Sequence, residues 1–177
     1  MPINLPVDTE IPLFKVNYDN AKSLYFFKSI DSHPSLLIQV KLNPLSKFTI
    51  NKNDRYLLGD MVFKFEQFND NKQVVVTRQI TKRYNEKISN SFSLEKEGSI
   101  ITIGRGRSCN MSLNSGLLSR VHASLIYNPK DNLWEIKDGE TNKPSSNGCF
   151  IFTNSLIPIC DGLEVKINEY SIVFNLN

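Results

Sequence analysis

Short runs rich in Val, Ile, Phe and Tyr, several of them alternating apolar with polar residues, recur from one end of the chain to the other. They predict strands over 12–18, 23–30, 36–42, 47–50, 61–68, 73–79, 92–94, 99–104, 123–128, 133–137, 149–152, 163–167 and 171–176. Turn-forming residues stand between them: Asp31-Ser32-His33-Pro34, Asn43-Pro44, Asn69-Asp70-Asn71, Asn128 to Asn132, Asp138-Gly139, Asn147-Gly148 and Asp161-Gly162. No long stretch reads as a helix. Many short strands with this punctuation predict an all-β protein, a sandwich or a barrel. The polar, charged stretch from Thr81 to Asn90 reads as a surface connection near a domain boundary.

The length of 177 residues suits one domain or two small ones. Hydrophobic residues at 40% and charged residues at 22% exclude a disordered or collagen-like chain. Every apolar run is interrupted well before the roughly 20 residues that a membrane-spanning helix needs. The first ten residues carry Pro2, Pro6 and Asp8, with neither the basic nor the apolar region of a leader. An intracellular location, cytoplasmic or nuclear, and no membrane partner are therefore expected.

Cys109, Cys149 and Cys160 are odd in number and include no Cys-x-x-Cys pair, so reduced thiols are expected, not a disulfide framework or a zinc site. Only two histidines are present, and neither a phosphate-binding Gly-rich loop nor a His-Glu-x-x-His occurs. Neither a metal nor a cofactor is expected.

The net charge of +3 is too small to imply wrapping of nucleic acid. The aromatics between Phe14 and Phe68 do not interleave with Lys or Arg as an RNA platform would, and core filling explains them better. The distribution of charge and glycine says more. Residues 71–177 hold 13 basic against 10 acidic side chains, which is the whole excess, and every glycine but Gly59 lies between Gly98 and Gly162. A site built from backbone belongs in this part.

There the residues run Ile103-Gly104-Arg105, then Ser119-Arg120-Val121-His122, then Trp134 to Asp138, then Ser145-Ser146-Asn147-Gly148. A receptor for a phosphorylated side chain needs a fixed cation, a short hydroxyl donor and inward-pointing amides. Arg105 and Arg120 supply the cations and Ser119 the hydroxyl, each where a strand is predicted to meet a loop. Gly104, Gly106 and Gly116 leave the backbone free to approach a ligand. Asn147-Gly148 alone would suggest only a hairpin turn. Trp134 reads as core. Ser119, His122 and Asp138 do not suit a catalytic triad, because a serine and a histidine three positions apart at a strand entry cannot readily place the imidazole on the hydroxyl.

The order and spacing of Gly-Arg, Ser-x-x-His and Asn-Gly, with 14 positions from Arg105 to Ser119, resemble the forkhead-associated (FHA) domain. The resemblance runs from about residue 72 to Asn177. It implies an FHA-type antiparallel β-sandwich that reads phosphothreonine peptides and is not an enzyme. In that reading Arg105 and Ser119 hold the phosphate, Arg120 reinforces it, Ser146 lines the site and Asn147 bonds the peptide main chain. Gly104, His122 and Gly148 are structural, the histidine bracing the two recognition loops. Ser146 and Cys149 stand where the family commonly has Thr. Lys143 either adds positive potential beside the site or is simply solvated.

Residues 1–71 are expected to form a β-rich N-terminal module, and 72–177 the FHA domain. Arg55 to Phe65 look like the closing hairpin of an FHA sandwich, with Gly162 to Phe174 as a counterpart, so the N-terminal module reads either as a degenerate FHA-like copy without a phosphate site or as a β-rich extension. Two functions follow: an adaptor docking on a phosphothreonine-containing protein, or a constitutive subunit of a larger cytoskeletal or ciliary assembly that uses the fold as a phosphate-independent protein-binding surface.

Overall fold

The computed structural model describes residues 14–21, 23–29, 38–44, 46–51, 54–68, 73–79, 87–93, 100–140, 142–152, 157–167 and 170–176. The expected turns at Asp31–Pro34, with His33, and at Asn69–Asn71 lie outside these residues. So does the stretch 81–86 of the expected surface connection.

The described elements are all strands: β1 (Phe14–Asp19), β2 (Leu24–Ser29), β3 (Ile38–Lys41), β4 (Lys47–Thr49), β5 (Arg55–Leu58), β6 (Met61–Phe68), β7 (Gln73–Gln79), β8 (Lys87–Ser93), β9 (Ile100–Gly104), β10 (Met111–Ser112), β11 (Ala123–Asn128), β12 (Leu133–Asp138), β13 (Cys149–Phe152), β14 (Ile157–Pro158), β15 (Leu163–Ile167) and β16 (Tyr170–Phe174). Residues 87–90, expected in a loop, belong to β8. This strand pairs with β7 over seven positions, from Gln73↔Ser93 to Gln79↔Lys87. Cross-strand pairing overrides the weak local preference of its Ser and Asn residues.

The chain divides into two compact units, Leu42–Ile151 and Met1–Lys41 with Phe152–Asn177. The first is a two-sheet β-sandwich. One sheet has the order β10-β9-β11-β12-β4, and the other runs β13-β5-β6-β7-β8. Strands β9 and β10 are parallel, and the pairings β9–β11, β11–β12, β12–β4, β5–β6, β6–β7 and β7–β8 are antiparallel. Alternation puts Ile101 and Ile103 of β9, Leu125 and Tyr127 of β11, and Trp134 and Ile136 of β12 against Tyr56, Leu58, Phe63, Phe65, Val74 and Val76 of the opposite sheet. Trp134 is fully buried, as expected of core, with its ring 5.6 Å from that of Tyr127. Replacing it with Ala would cost about 3–5 kcal/mol.

The boundary expected between residues 71 and 72 falls inside this unit. It separates β6 from β7, which pair over seven positions from Val62↔Gln79 to Phe68↔Gln73. Sequence reading assumed contiguous modules, whereas the sheet is assembled from strands on both sides of that boundary.

The second unit contains the sheet β1-β2-β14 and the run β16-β15-β3. Its core includes Phe27, Val40, Ile159, Val165 and Ile167. Burial of Glu164 opposes its ionisation, but hydrogen bonds from Lys41 at 2.7 Å and Ser171 at 3.0 Å prevail and hold its carboxyl below the usual range.

The hairpins β5–β6 and β15–β16 share one register. Leu58 opposes Met61 and Tyr56 opposes Phe63, just as Ile167 opposes Tyr170 and Val165 opposes Ile172. Their partners are exchanged with respect to chain order. Strand β3, which precedes β5–β6 in sequence, pairs with β15. Strand β13, which precedes β15–β16, neighbours β5.

Candidate functional site

Three loops of the Leu42–Ile151 unit carry the candidate residues. Arg105 follows β9 directly, Ser119 and Arg120 lie between β10 and β11, and Ser145 to Gly148 lead into β13. Main-chain bonds fix the first loop on the second: Arg105 N–H donates to the Ser119 carbonyl at 3.0 Å and Gly106 N–H to that of Arg120 at 2.9 Å. A Cβ on Gly104 would stand 2.3 Å from the Arg120 carbonyl oxygen, and one on Gly106 2.8 Å from the same atom. These two glycines thus admit the chain's own backbone, not a ligand, which corrects the sequence expectation. Gly116 has open space around it. The Cys109 thiol also bonds the Arg120 carbonyl, at 3.0 Å.

The second and third loops meet through side chains. Ser119 Oγ accepts from Ser146 N–H at 2.9 Å and lies 3.4 Å from Ser146 Oγ. Asn147 Nδ2 donates to the Leu117 carbonyl at 2.8 Å. Gly148 takes a φ of +76°, the left-handed conformation suited to a turn glycine, and its N–H donates to Ser145 Oγ at 2.9 Å.

His122 is fully buried beneath these loops. Its Nδ1 accepts from Ser119 N–H at 3.1 Å, so its proton resides on Nε2, which donates to the Gly148 carbonyl at 3.2 Å. The neutral imidazole therefore links the two loops, and the serine hydroxyl is not its partner, which leaves no serine–histidine dyad. Burial lowers the His122 pKa against the opposing influences of the Gly148 carbonyl and Asp138. Its own backbone is paired too: N–H to Ile103 O at 2.8 Å, and carbonyl from Gly139 N–H at 2.9 Å.

Two contacts escaped the sequence reading. The Cys149 thiol lies 3.1 Å from Asp138 Oδ1 and 3.3 Å from the His122 carbonyl. Burial first, then the charge of Asp138, pushes this thiol well above its ordinary pKa. Ser145, nearly buried, closes the turn before β13. A small polar residue preceding Asn-Gly was the only sequence signal for it.

The side chains of Arg105 and Arg120 are exposed, and neither forms a hydrogen bond or ion pair among the described residues. Ser146 and Asn147 are likewise exposed, and Ser119 is half-buried. The loops thus present two guanidinium groups, a serine hydroxyl and an asparagine amide at one end of the sandwich. Such an arrangement suits a compact dianion with several acceptor oxygens.

Neither the curated proteins nor the solved structures include a match to the chain. Residues 101–167 match the family model of the FHA domain, a phosphopeptide-binding protein-interaction module. That match spans a little over a third of the chain, and the all-β architecture of the described residues agrees with it.

Proposed function

We propose that the protein is an adaptor that docks through its FHA domain onto a phosphothreonine-containing protein. Arg105 and Ser119 hold the phosphate, Arg120 reinforces it, Ser146 lines the pocket, and Asn147 reaches the peptide main chain. The observation that carries this reading is the Ser119 hydroxyl tethered to Ser146 N–H at 2.9 Å, beside exposed guanidinium groups without other described partners. The tether fixes the hydroxyl as an acceptor from the backbone, and its proton, held in a long bond to Ser146 Oγ at 3.4 Å, reaches another acceptor by rotation of the hydroxyl. A phosphate oxygen accepts it without any loop having to be ordered at the moment of binding.

The test is titration of the purified chain with a degenerate phosphothreonine peptide library, beside unphosphorylated and phosphoserine versions. Binding that requires phosphate, prefers phosphothreonine and is lost in Arg105→Ala is the expected result. A folded protein that binds no phosphopeptide would sink the proposal and leave the constitutive subunit of a larger assembly as the reading to pursue.

A further inference from the structure

Strand β16 (Tyr170–Phe174) ends one side of its sheet, and among the described residues it pairs with β15 alone. A strand in that position presents a row of unpaired backbone groups, which proteins guard with charge, proline or extreme shortness. The other terminal strands carry such guards. Strands β10 and β14 have two residues each, the latter with Pro158, and β4 has three, with Lys47. Strand β1 holds Lys15 and Asp19, and β8 opens on Lys87. Strand β16 reads Tyr-Ser-Ile-Val-Phe, and neither charge nor proline occurs from Tyr170 to Leu176. Val173 and Leu176, both large and aliphatic, are 51% and 50% exposed.

The bonds that this segment makes set the direction of its backbone groups. The Phe174 carbonyl accepts from Gly162 N–H at 2.8 Å, and Leu176 N–H donates to Asp161 Oδ1 at 3.0 Å, so both residues face the start of β15. Backbone groups alternate in direction along a strand, which turns those of Ser171, Val173 and Asn175 toward the open edge.

From Tyr170 to Leu176 the apolar and polar positions form a palindrome centred on Val173. A second copy laid antiparallel about that centre sets Val173 opposite Val173, Ser171 opposite Asn175, Ile172 opposite Phe174 and Tyr170 opposite Leu176. Apolar meets apolar and polar meets polar at every position, and the outward backbone groups fall in hydrogen-bonded pairs. No like charges stand opposite one another.

We infer that β16 is the pairing edge of a two-fold symmetric dimer, its occupant being the same strand of a second copy of this chain. A two-fold contact requires a surface that complements itself, and the palindrome about Val173 meets that requirement. The inference stands apart from the phosphate reading and needs none of its residues.

Sedimentation of the full chain from micromolar to millimolar concentration, with amide hydrogen exchange on the same samples, tests this. The parent should pass from the monomer mass to twice that mass, and the amides of Ser171, Val173 and Asn175 should gain protection as it does. Val173→Lys places like charges opposite one another at the two-fold, and Val173→Pro removes an outward N–H without taking a bond from β15. Either variant, folded, should keep the monomer mass at the highest concentration. A parent that stays monomeric overturns the inference, as does a dimer that survives in a folded variant or leaves those amides unprotected. Protection that is already complete in the monomer also overturns it, since another segment of the same chain then covers the edge. The exchange measured on the parent decides the matter even where a variant fails to fold.

Discussion

Ser119 Oγ accepts a hydrogen bond from the backbone N–H of Ser146, joining two loops 27 residues apart in sequence. One atom thus serves as a structural acceptor and, in the proposed reading, as the donor to phosphate. Ser119→Ala removes the donor and releases the Ser146 amide. Phosphopeptide affinity should fall about tenfold or more, the loss expected of a charge-assisted hydrogen bond. Ser119 is half-buried and Ser146, the partner of its hydroxyl, is exposed, so the thermal midpoint should move little. Titration and calorimetry of the same variant check both parts.

The Arg105 side chain has no hydrogen bond or ion pair among the described residues, so its removal should cost binding and not folding. Arg105→Ala should weaken phosphopeptide binding at least tenfold, a loss of roughly 1.5–3 kcal/mol. Arg105→Lys keeps the charge but not the planar fork, and should fall between the two. Equal affinity of all three proteins would remove Arg105 from the site.

The buried imidazole of His122 sets a pH dependence of stability. Its folded pKa lies below the ordinary value of 6.5, so as pH falls the unfolded chain takes up the proton first. The stabilisation is full above pH 6.5 and is lost below it, at up to ~1.4 kcal/mol per pH unit, until the folded imidazole is itself protonated. Urea unfolding between pH 8 and pH 5 should show this slope in the parent. His122→Ala should flatten it, and should lower stability and phosphopeptide affinity together, because both loops lose their brace.

Gly104 tolerates no side chain, since a Cβ there would stand 2.3 Å from a backbone oxygen that cannot swing away as a side chain would. Gly104→Ala should displace the Arg105 loop from Arg120 and destabilise the sandwich by more than about 1 kcal/mol. Gly116→Ala, with open space around it, is the matched control and should be close to neutral.

The three thiols should separate by reactivity. Cys160 is exposed, whereas Cys109 and Cys149 are buried, and Cys149 is further held in its protonated form by burial beside Asp138. A thiol reagent should modify Cys160 promptly in the native protein and reach the other two only on unfolding. Prompt modification of Cys149 would contradict the packing of the turn above it.

Strand periodicity made most of the fold legible. Runs such as Met61–Phe68, Ala123–Asn128 and Leu163–Ile167 carry their alternation in plain view and occur as strands over those bounds. Of β8 only the end at Phe92 and Ser93 reads as strand in the sequence, because the residues before it are polar and become a strand through their partner β7. The two-residue strands β10 and β14 are too short to show a period. The candidate site was legible as residue types at a spacing. The mutual bonding of its loops was not, because Asn147 meets Leu117 and Ser146 meets Ser119 only after β11 and β12 have brought the loops together. The unit boundaries were hidden for a similar reason, since pairing between distant strands has no local signature.

The exchanged hairpins bear on the order in which the chain is made. The β5–β6 hairpin, which lies beside β13 and β7 in the sandwich, is synthesised before any candidate-site residue. Every strand of the Leu42–Ile151 unit is therefore available once Ile151 has left the ribosome, and assembly of the recognition loops need not wait for β15 and β16. Nascent chains arrested shortly beyond that point should already resist proteolysis across the sandwich.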